Sequence, residues 1–321
     1  MLGVIVNPNA LGVRRDPALA DRLRAVLGDD GEVVATRTPA ELPEAVARFA
    51  ARGYDPIGIC GGDGSNLSTI SQLVAHAERL GPGQAAGRLP RFAILRGGTV
   101  NTVAGNLGIR GRPEELLARL VARLRAGRPL DEVEQDLLCV NGMYGFLFAA
   151  AMGARFLEAY YGAPVQGVAA AVVLATRTIA SSLVQGSYAR WLFQPVPMRL
   201  TADGEELPLD RARLLLASTV PDVGIGNRVT WQAGRVPGRF HLVASNLPTT
   251  SMALQIHRVR LGRPLEGGPQ EAHLAHVDRL ARSLHIRFEA AQPFTLDGDL
   301  FRAEQVTIAI GPRIRVVIPT P

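Results

Sequence analysis

Hydrophobic residues in the first 130 positions alternate between short continuous runs and a helical spacing. Leu19, Leu23 and Val26 recur at intervals of three to four residues, which is typical of one face of a helix. Such segments separate apolar runs that predict strands at residues 4–6, 32–36, 57–60 and 92–95. This alternation predicts a parallel sheet with helices on both faces.

After about residue 130, short apolar or alternating runs separated by Gly and Pro dominate the sequence. This pattern predicts an antiparallel sandwich or barrel. We therefore expect an α/β domain with a doubly wound parallel sheet over residues 1–128 and an all-β antiparallel sandwich over residues 129–311. The apolar run at residues 168–184 contains Arg177 and is short for a bilayer span, so we interpret it as a buried or membrane-surface helix.

Composition narrows the functional classes. Apolar residues make up 47% of the 321 positions, which suits a globular chain of two domains. The net charge is +6 and all 35 basic residues are Arg, which indicates an anionic partner or a codon-usage bias equally well. The absence of Lys excludes a Walker-type P-loop. Aromatic residues make up only 5% of the chain, so we expect no nucleic-acid partner.

The cysteines and the N-terminus indicate the compartment. Cys60 and Cys139 are isolated in the sequence, which suits a reducing environment and predicts neither a disulfide scaffold nor a zinc site. The first residues form an apolar run without the basic segment and cleavage pattern of a signal peptide. We therefore expect a cytoplasmic protein. The sequence assigns no metal ligands and no oligomeric state.

The segment Gly61-Gly62-Asp63-Gly64-Ser65 follows a predicted strand and precedes a predicted helix. Glycines let backbone N–H groups approach a phosphate closely because no Cβ intervenes. The helix N-terminus adds free donors and partial positive charge. Asp63 would brace the loop or help to hold Mg²⁺ or a hydroxyl. A tight turn without a ligand is the alternative, but a glycine cluster at the carboxyl end of a strand in such a sheet favours phosphate binding.

A second glycine turn, Gly97-Gly98-Thr99-Val100-Asn101, follows the strand at residues 92–95. Asn7 ends the first predicted strand. Ligands of open parallel sheets bind beyond the carboxyl ends of the strands, so both turns and Asn7 should face one crevice. Arg96 would supply the positive charge that a missing Lys does not.

Asn7-Pro8 and residues 61–65 and 98–101 resemble the three N-terminal motifs of the diacylglycerol kinase catalytic-domain family, which includes sphingosine kinases and bacterial lipid kinases. Residues 142–146 are similar to its first sandwich hairpin, and residues 295–299 lie where the family has a late Asp-Gly-Glu motif. The resemblance implies a nucleotide domain followed by a sandwich for the substrate, with the C-terminal strand, residues 312–321, returning to the first domain.

The resemblance also implies an activity. The chain would transfer the γ-phosphate of ATP, with Mg²⁺, to the hydroxyl of a diacylglycerol- or sphingoid-like lipid at the inner membrane surface, where the protein would be peripheral. Asp297 would be the base, with Asp299 beside it. The nucleotide contacts would be Asn7, Thr36, Gly61, Gly62, Asp63, Gly64, Ser65, Asn66, Gly98, Thr99 and Asn101.

The Asp-Gly pairs have a plainer interpretation as hairpin turns. We apply it to Asp203-Gly204, in the middle of the second half, and favour the base for Asp297 only because of the resemblance. The family acids are replaced or shortened at Thr102, Pro237 and Asp299. Two alternatives stay open: a non-catalytic protein that binds nucleotide or lipid, and a kinase for a soluble metabolite of the NAD kinase or phosphofructokinase type.

Overall fold

A computed structural model describes residues 1–80, 89–164, 167–266 and 276–320 of the chain. They form two compact units. The first unit contains Met1–Leu137 and the segment from Pro312 onward, and the second is Leu138–Gly311. The division falls later than residue 128 because strand β5 (Glu132–Val140) begins in the first unit and ends in the second.

The first unit alternates strands and helices. Its strands before β5 are β1 (Leu2–Val6), β2 (Gly31–Ala35), β3 (Ile57–Cys60) and β4 (Phe92–Ile94). Its helices are α1 (Leu11–Arg14), α2 (Leu19–Leu27), α3 (Glu41–Ala51), α4 (Asp63–Leu80), α5 (Thr102–Asn106) and α6 (Pro113–Arg125).

Strands β4, β3, β1 and β2 are neighbours in that order and all pair in parallel. The residues of β4, β3 and β1 are buried, as expected for a parallel sheet covered on both faces, whereas those of the edge strand β2 are half-buried. The prediction of an α/β parallel-sheet domain is therefore confirmed. Because the strands are parallel, the turns after β1, β3 and β4 lie at the same edge of the sheet.

The last strand, β15 (Asp299–Val317), adds its C-terminal part to this sheet. Val316 is fully buried and pairs in parallel with Phe92 of β4. Arg313 forms ion pairs with Glu134 (3.0 Å) and Asp136 (3.2 Å) of β5. The end of the chain therefore completes the core of the first unit.

The second unit is antiparallel, as predicted. The strands β13, β12, β11, β7, β14 and β15 are neighbours in that order, and β8 pairs with β14. Its other strands are β6 (Met143–Gly145), β7 (Leu147–Ala151), β8 (Val196–Ala202), β9 (Glu205–Glu206), β10 (Arg211–Ala212), β11 (Leu214–Ser218), β12 (Phe240–Ser245), β13 (His276–Ala281) and β14 (Ser283–Leu296).

The second unit also contains helices, although its sequence predicts mainly strands. They are α7 (Met152–Tyr161), α8 (Val168–Leu183), α9 (Ser187–Leu192), α10 (Thr249–Leu254) and α11 (Ile256–Arg260). Only α8 was foreseen, as the apolar run at residues 168–184. No helix of the described residues has the length and apolar character needed to cross a bilayer.

Three hairpin turns of this unit share one backbone geometry. Asn141-Gly142, Asp203-Gly204 and Asp297-Gly298 have positive φ at both residues, 48° and 83°, 52° and 83°, and 46° and 92°. Paired positive φ is typical of the type I′ turn, which favours Asn-Gly and Asp-Gly. The hairpin interpretation of Asp203-Gly204 therefore fits, and Asp297-Gly298 has the same backbone.

Truncation after Gly311 tests whether the returning strand holds the first unit together. It removes Ile314, Val316 and Val317, each 1% exposed or less. At about 1.5–3 kcal/mol for each buried side chain, we expect a loss of at least about 4 kcal/mol in the free energy of unfolding of the first unit. Urea unfolding with limited proteolysis measures this. A truncation after Ile318 is the control, and equal stability of the two truncated chains would contradict the prediction.

Candidate functional site

The two glycine turns are in direct backbone contact. A Cβ placed on Gly97 would lie 2.7 Å from the Gly61 nitrogen, and one placed on Gly98 would overlap the Gly62 Cα. By contrast, a Cβ on Gly62 would lie 3.5 Å from the Gly98 Cα, an ordinary van der Waals distance. The close approach of the two turns therefore requires glycine at positions 97 and 98, whereas Gly62 leaves room for a methyl group or a ligand.

The carboxylate of Asp63 ties the first turn to the helix that follows the second. It accepts hydrogen bonds from the backbone N–H groups of Thr102 (2.8 Å) and Val103 (3.1 Å), the first residues of α5. Burial raises the pKa of Asp63, while these N–H groups and the charge of Arg96 oppose the increase. These contacts correspond to the loop-bracing role expected for Asp63.

Asn101 closes the second turn. Its backbone is left-handed, with φ 53°, a conformation in which Asn is enriched. Its side-chain Oδ1 accepts a hydrogen bond from the Gly98 N–H (3.1 Å), and its Nδ2 donates to the Gly98 carbonyl (2.8 Å). The amide of Asn101 therefore shapes the turn, and its contact with a nucleotide stays a prediction.

Asn7, Thr36 and Ser65 line one small pocket of about 30 Å³ in the first unit. Asn7 Nδ2 donates to Ser65 Oγ at 2.9 Å, and the Thr36 N–H donates to the Val6 carbonyl at 2.9 Å. The pocket has room for one or two water-sized groups, so it can take only a small polar group. Its remaining walls are Ile5, Leu42, Ile59, Ser68 and Thr69.

Two buried polar atoms near the turns lack a hydrogen-bond partner within the described chain: Asn66 Oδ1 and Arg96 Nε. Asn66 is 1% exposed and lies in the first turn of α4, where its N–H donates to the Gly62 carbonyl (3.1 Å). An unsatisfied buried polar group costs about 1–3 kcal/mol, so each atom calls for a ligand or water. Gly64 and Thr99 are half-buried members of the same turns.

Asp297 lies in the second unit, in the turn between β14 and β15, and is 4% exposed. Its carboxylate accepts hydrogen bonds from the backbone N–H groups of Phe146 (3.0 Å) and Leu147 (2.8 Å). A Cβ on Gly145 would lie 2.6 Å from Asp297 Oδ2, so a larger residue there would displace the carboxylate. Backbone donors suit an ionised carboxylate, whose bonds to them are charge-assisted.

The other two type I′ turns use the same kind of contact. Asp203 Oδ1 accepts from two consecutive backbone N–H groups (2.8 and 2.9 Å), and Asn141 Oδ1 accepts from the Thr307 N–H (2.8 Å). Both residues are exposed, whereas Asp297 is buried. Burial, and not the turn itself, therefore distinguishes Asp297.

Residues 1–131 of the chain match the family model of the diacylglycerol kinase catalytic domain. The matched part covers 131 of the 321 residues of the chain. It contains both glycine turns, Asp63 and the pocket lined by Asn7. No curated protein matches the sequence.

Solved structures with a similar fold include a diacylglycerol kinase from Bacillus anthracis strain Sterne. It is 16% identical, the match covers 99% of this chain and 96% of that chain, and the TM-score is 0.62. Two further structures from the same organism have the same identity and coverage, with TM-scores of 0.66 and 0.64. At this identity the likeness establishes a shared fold, and function has to be argued from the site.

The resemblance predicts altered acids at Thr102, Pro237 and Asp299, and the structure describes the surroundings of all three positions. The N–H and the hydroxyl of Thr102 both bond to Asp63, where an acid would add a second negative charge. Pro237 precedes β12 in a turn whose Gly238 has φ 70°. Asp299 is half-buried at the start of β15. Within the described ranges, no cluster of three or more His, Cys, Asp or Glu side chains could hold a metal ion.

Two glycines beside the predicted contacts also belong to the site. A Cβ on Gly12 of α1 would overlap the carbonyl of Gly97, so a third backbone segment packs against the second turn. The doubled glycine in the sequence was the available signal for Gly97. Nothing in the local pattern marks Gly12, because its close contact forms only in the folded unit.

Gly62→Ala separates phosphate binding from folding. The added methyl group fits the fold but occupies the space through which a phosphate would reach the N–H groups of the turn. We expect an unchanged unfolding midpoint and at least about tenfold weaker ATP binding, a cost of about 1.4 kcal/mol. Calorimetric titration with ATP and Mg²⁺ measures the affinity. Unchanged affinity would show that the turn does not approach the phosphate.

Gly97→Ala should behave differently, because its methyl group meets the backbone of Gly61. We expect a loss of about 1–3 kcal/mol in the free energy of unfolding, measured in urea. Gly105→Ala is the matched control: it lies in α5 with no atom within 4 Å of its added Cβ, and should stabilise the chain slightly. Equal stabilities of the two variants would refute the backbone contact.

Proposed function

We propose that the chain is an ATP-dependent lipid kinase, which transfers the γ-phosphate of ATP to a lipid hydroxyl of diacylglycerol or sphingoid type. The observation that carries the proposal is the packing of two glycine turns at the start of an 18-residue helix, α4. These turns lie within the residues that match the model of the diacylglycerol kinase catalytic domain. This arrangement supports the binding of a phosphate chain by backbone donors and the helix N-terminus.

In the proposed complex, the triphosphate of ATP lies against the turns at Gly62 and Gly98. Asn66 Oδ1 and Arg96 Nε, which are buried without partners, are available to a nucleotide or its bound water. Arg96 adds a positive charge, in a chain that has no Lys for this purpose. Asp63 and Asn101 hold the turns in place.

The residues present fit a metal that is held mainly by the nucleotide. Mg²⁺ usually binds through one or two carboxylates together with substrate phosphates and water. Asp63 is the acidic residue in the glycine turns, and the described residues offer no larger cluster of acids. When bound with ATP, Mg²⁺ would neutralise charge on the phosphates.

In the proposed transfer step, a carboxylate of the second unit accepts the proton of the lipid hydroxyl. The oxygen of the lipid hydroxyl forms a bond to the γ-phosphorus, the bond from that phosphorus to the β,γ-bridging oxygen breaks, and ADP leaves. The hydroxyl proton passes to the carboxylate of Asp297, with Asp299 beside it in sequence.

The proposal includes the setting of the reaction. The acceptor is a membrane lipid, so we propose a cytoplasmic protein that binds the inner membrane surface peripherally. We propose no nucleic-acid partner for the protein.

A non-catalytic binding protein is the second candidate, and one observation favours it. Asp297 shares its backbone conformation and its contacts to neighbouring N–H groups with Asp203, an exposed turn residue. A purely structural role would explain both residues. Tight ATP binding without transfer to any lipid would support this candidate.

Asp297→Asn tests the base, because the native Asn141-Gly142 turn shows that Asn suits this backbone. We expect an unchanged unfolding midpoint and a fall in lipid phosphorylation of about 10²–10⁴-fold, the usual contribution of a general base. Labelled ATP and a lipid extract provide the assay, with the label counted after solvent extraction. Asp203→Asn is the matched control and should retain full activity.

Each outcome of the assay has a distinct meaning. Label in the organic phase that depends on Asp297 supports the lipid kinase. Label that is insensitive to Asp297→Asn overturns the assignment of the base. Label confined to the aqueous phase replaces the lipid with a soluble metabolite as the acceptor.

A further inference from the structure

Helix α8 has large apolar side chains on the side that faces solvent. Its exposed positions recur at helical spacing along one face, and five of the side chains there are large and apolar: Val168, Val172, Val173, Leu183 and the C-cap Val184. Val173 is 68% and Val184 is 77% exposed. The five side chains form two groups at the two ends of the helix, with the exposed Thr176 and Arg177 between them. The outer face of a surface helix is normally polar, so this accumulation of exposed apolar side chains indicates a surface that binds a partner. We call these five side chains the α8 face.

Aromatic and basic side chains extend the α8 face. Arg177, also exposed on α8, lies with its guanidinium 4.2 Å from the ring centroid of Tyr188 in α9. The Tyr188 ring is in turn 5.8 Å from Trp191, which is 43% exposed. Trp and Tyr prefer the boundary between apolar and aqueous phases, because one end of each side chain is apolar and the other polar.

The charge of this region selects the kind of partner. Residues 159–202 contain no Asp or Glu, although acids make up 29 of the 321 residues of the chain. Its charged residues are Arg177, Arg190 and Arg199. Arg199 pairs with Glu206 of β9 (3.8 Å), which leaves Arg177 and Arg190 as the charges of the segment near α8 and α9. A segment with apolar, aromatic and basic side chains is complementary to an anionic lipid layer, which attracts Arg and accepts apolar groups between its headgroups.

Contacts within the second unit connect the α8 face to Asp297. The hydroxyl of Tyr160 in α7 accepts a hydrogen bond from the N–H of Gly167, the N-cap of α8 (2.8 Å). The ring of Tyr160 lies 5.5 Å from that of Tyr161, whose hydroxyl donates to the Gly298 carbonyl (2.8 Å). The start of α8 is therefore joined by direct contacts to the turn that contains Asp297.

We propose that the α8 face, with Trp191, is the surface by which the protein docks on an anionic phospholipid membrane. The apolar side chains enter the region between the headgroups, and Arg177 and Arg190 contact lipid phosphates. Docking through this face brings the turn that contains Asp297 toward the membrane in which a lipid hydroxyl is found. The proposal rests on the proposed function for the identity of the substrate, whereas membrane binding is independent of ATP.

The double substitution Val172→Asp/Val173→Asp tests the surface. Val and Asp have similar helix propensities, and both valines are exposed, so the fold should be retained. We expect binding to vesicles of phosphatidylcholine and phosphatidylglycerol, measured by sedimentation without ATP, to weaken at least about tenfold. Val236→Asp, at a 39% exposed valine in a loop of the same unit, is the control and should bind as the native chain does.

The chain's own tryptophan gives an independent readout. Contact of Trp191 with the bilayer should produce a blue shift in its fluorescence and quenching by brominated phospholipids. Trp191→Phe should abolish the quenching, because the only other tryptophan, Trp231, lies outside the α8 face. Quenching that persists in Trp191→Phe would place the membrane contact elsewhere and overturn the proposal.

Kinase activity separates failure of docking from failure of the proposed function. If both hold, Val172→Asp/Val173→Asp phosphorylates lipid in detergent micelles at the native rate but loses activity on vesicles. Equal vesicle binding by this variant and the native chain refutes the docking surface, whatever the kinase result. Dissociation of a dimer by the same variant, with vesicle binding unchanged, would assign the α8 face to a second copy of the chain instead.

Discussion

The close approach of two backbone turns is the constraint on which the candidate site depends. Gly97 and Gly98 contact Gly61 and Gly62 at distances that admit no side chain, and Asp63 then bonds to the helix that follows the second turn. The turns come from adjacent parallel strands, so the sheet itself brings them together. The Gly98 N–H already donates to Asn101. The first turn and the start of α4 can still approach a phosphate, because Gly62 has no Cβ in the way.

Sequence reasoning located this site because its signals are local. Glycines after an apolar strand mark a turn, and the parallel sheet follows from the alternation of strands and helices. The contacts of Asp63 and Asn101 could not be read in the same way. Their partners, Val103 and the backbone of Gly98, are defined only by the folded turns. The nucleotide contacts of Asp63 and Asn101 stay predictions.

The second unit shows where periodicity misleads. Its strands were predicted from short apolar runs, whereas α9, α10 and α11 were missed because they span only five or six residues each. Helix α8 was predicted from its apolar content. Which of its faces is buried could not be predicted, because an apolar run has the same pattern whether it packs in a core or lies at a membrane surface. The burial of Asp297 could not be predicted either, because it depends on strands that surround the turn only in the folded protein.

Hydrogen–deuterium exchange of the backbone amides on addition of ATP and Mg²⁺ measures whether both glycine turns bind one phosphate chain. Amides at residues 61–66 and 97–101 should become protected together, because the same phosphate chain binds to both turns. Protection of one turn without the other, or protection elsewhere in the chain with both turns unchanged, would contradict a shared phosphate-binding surface.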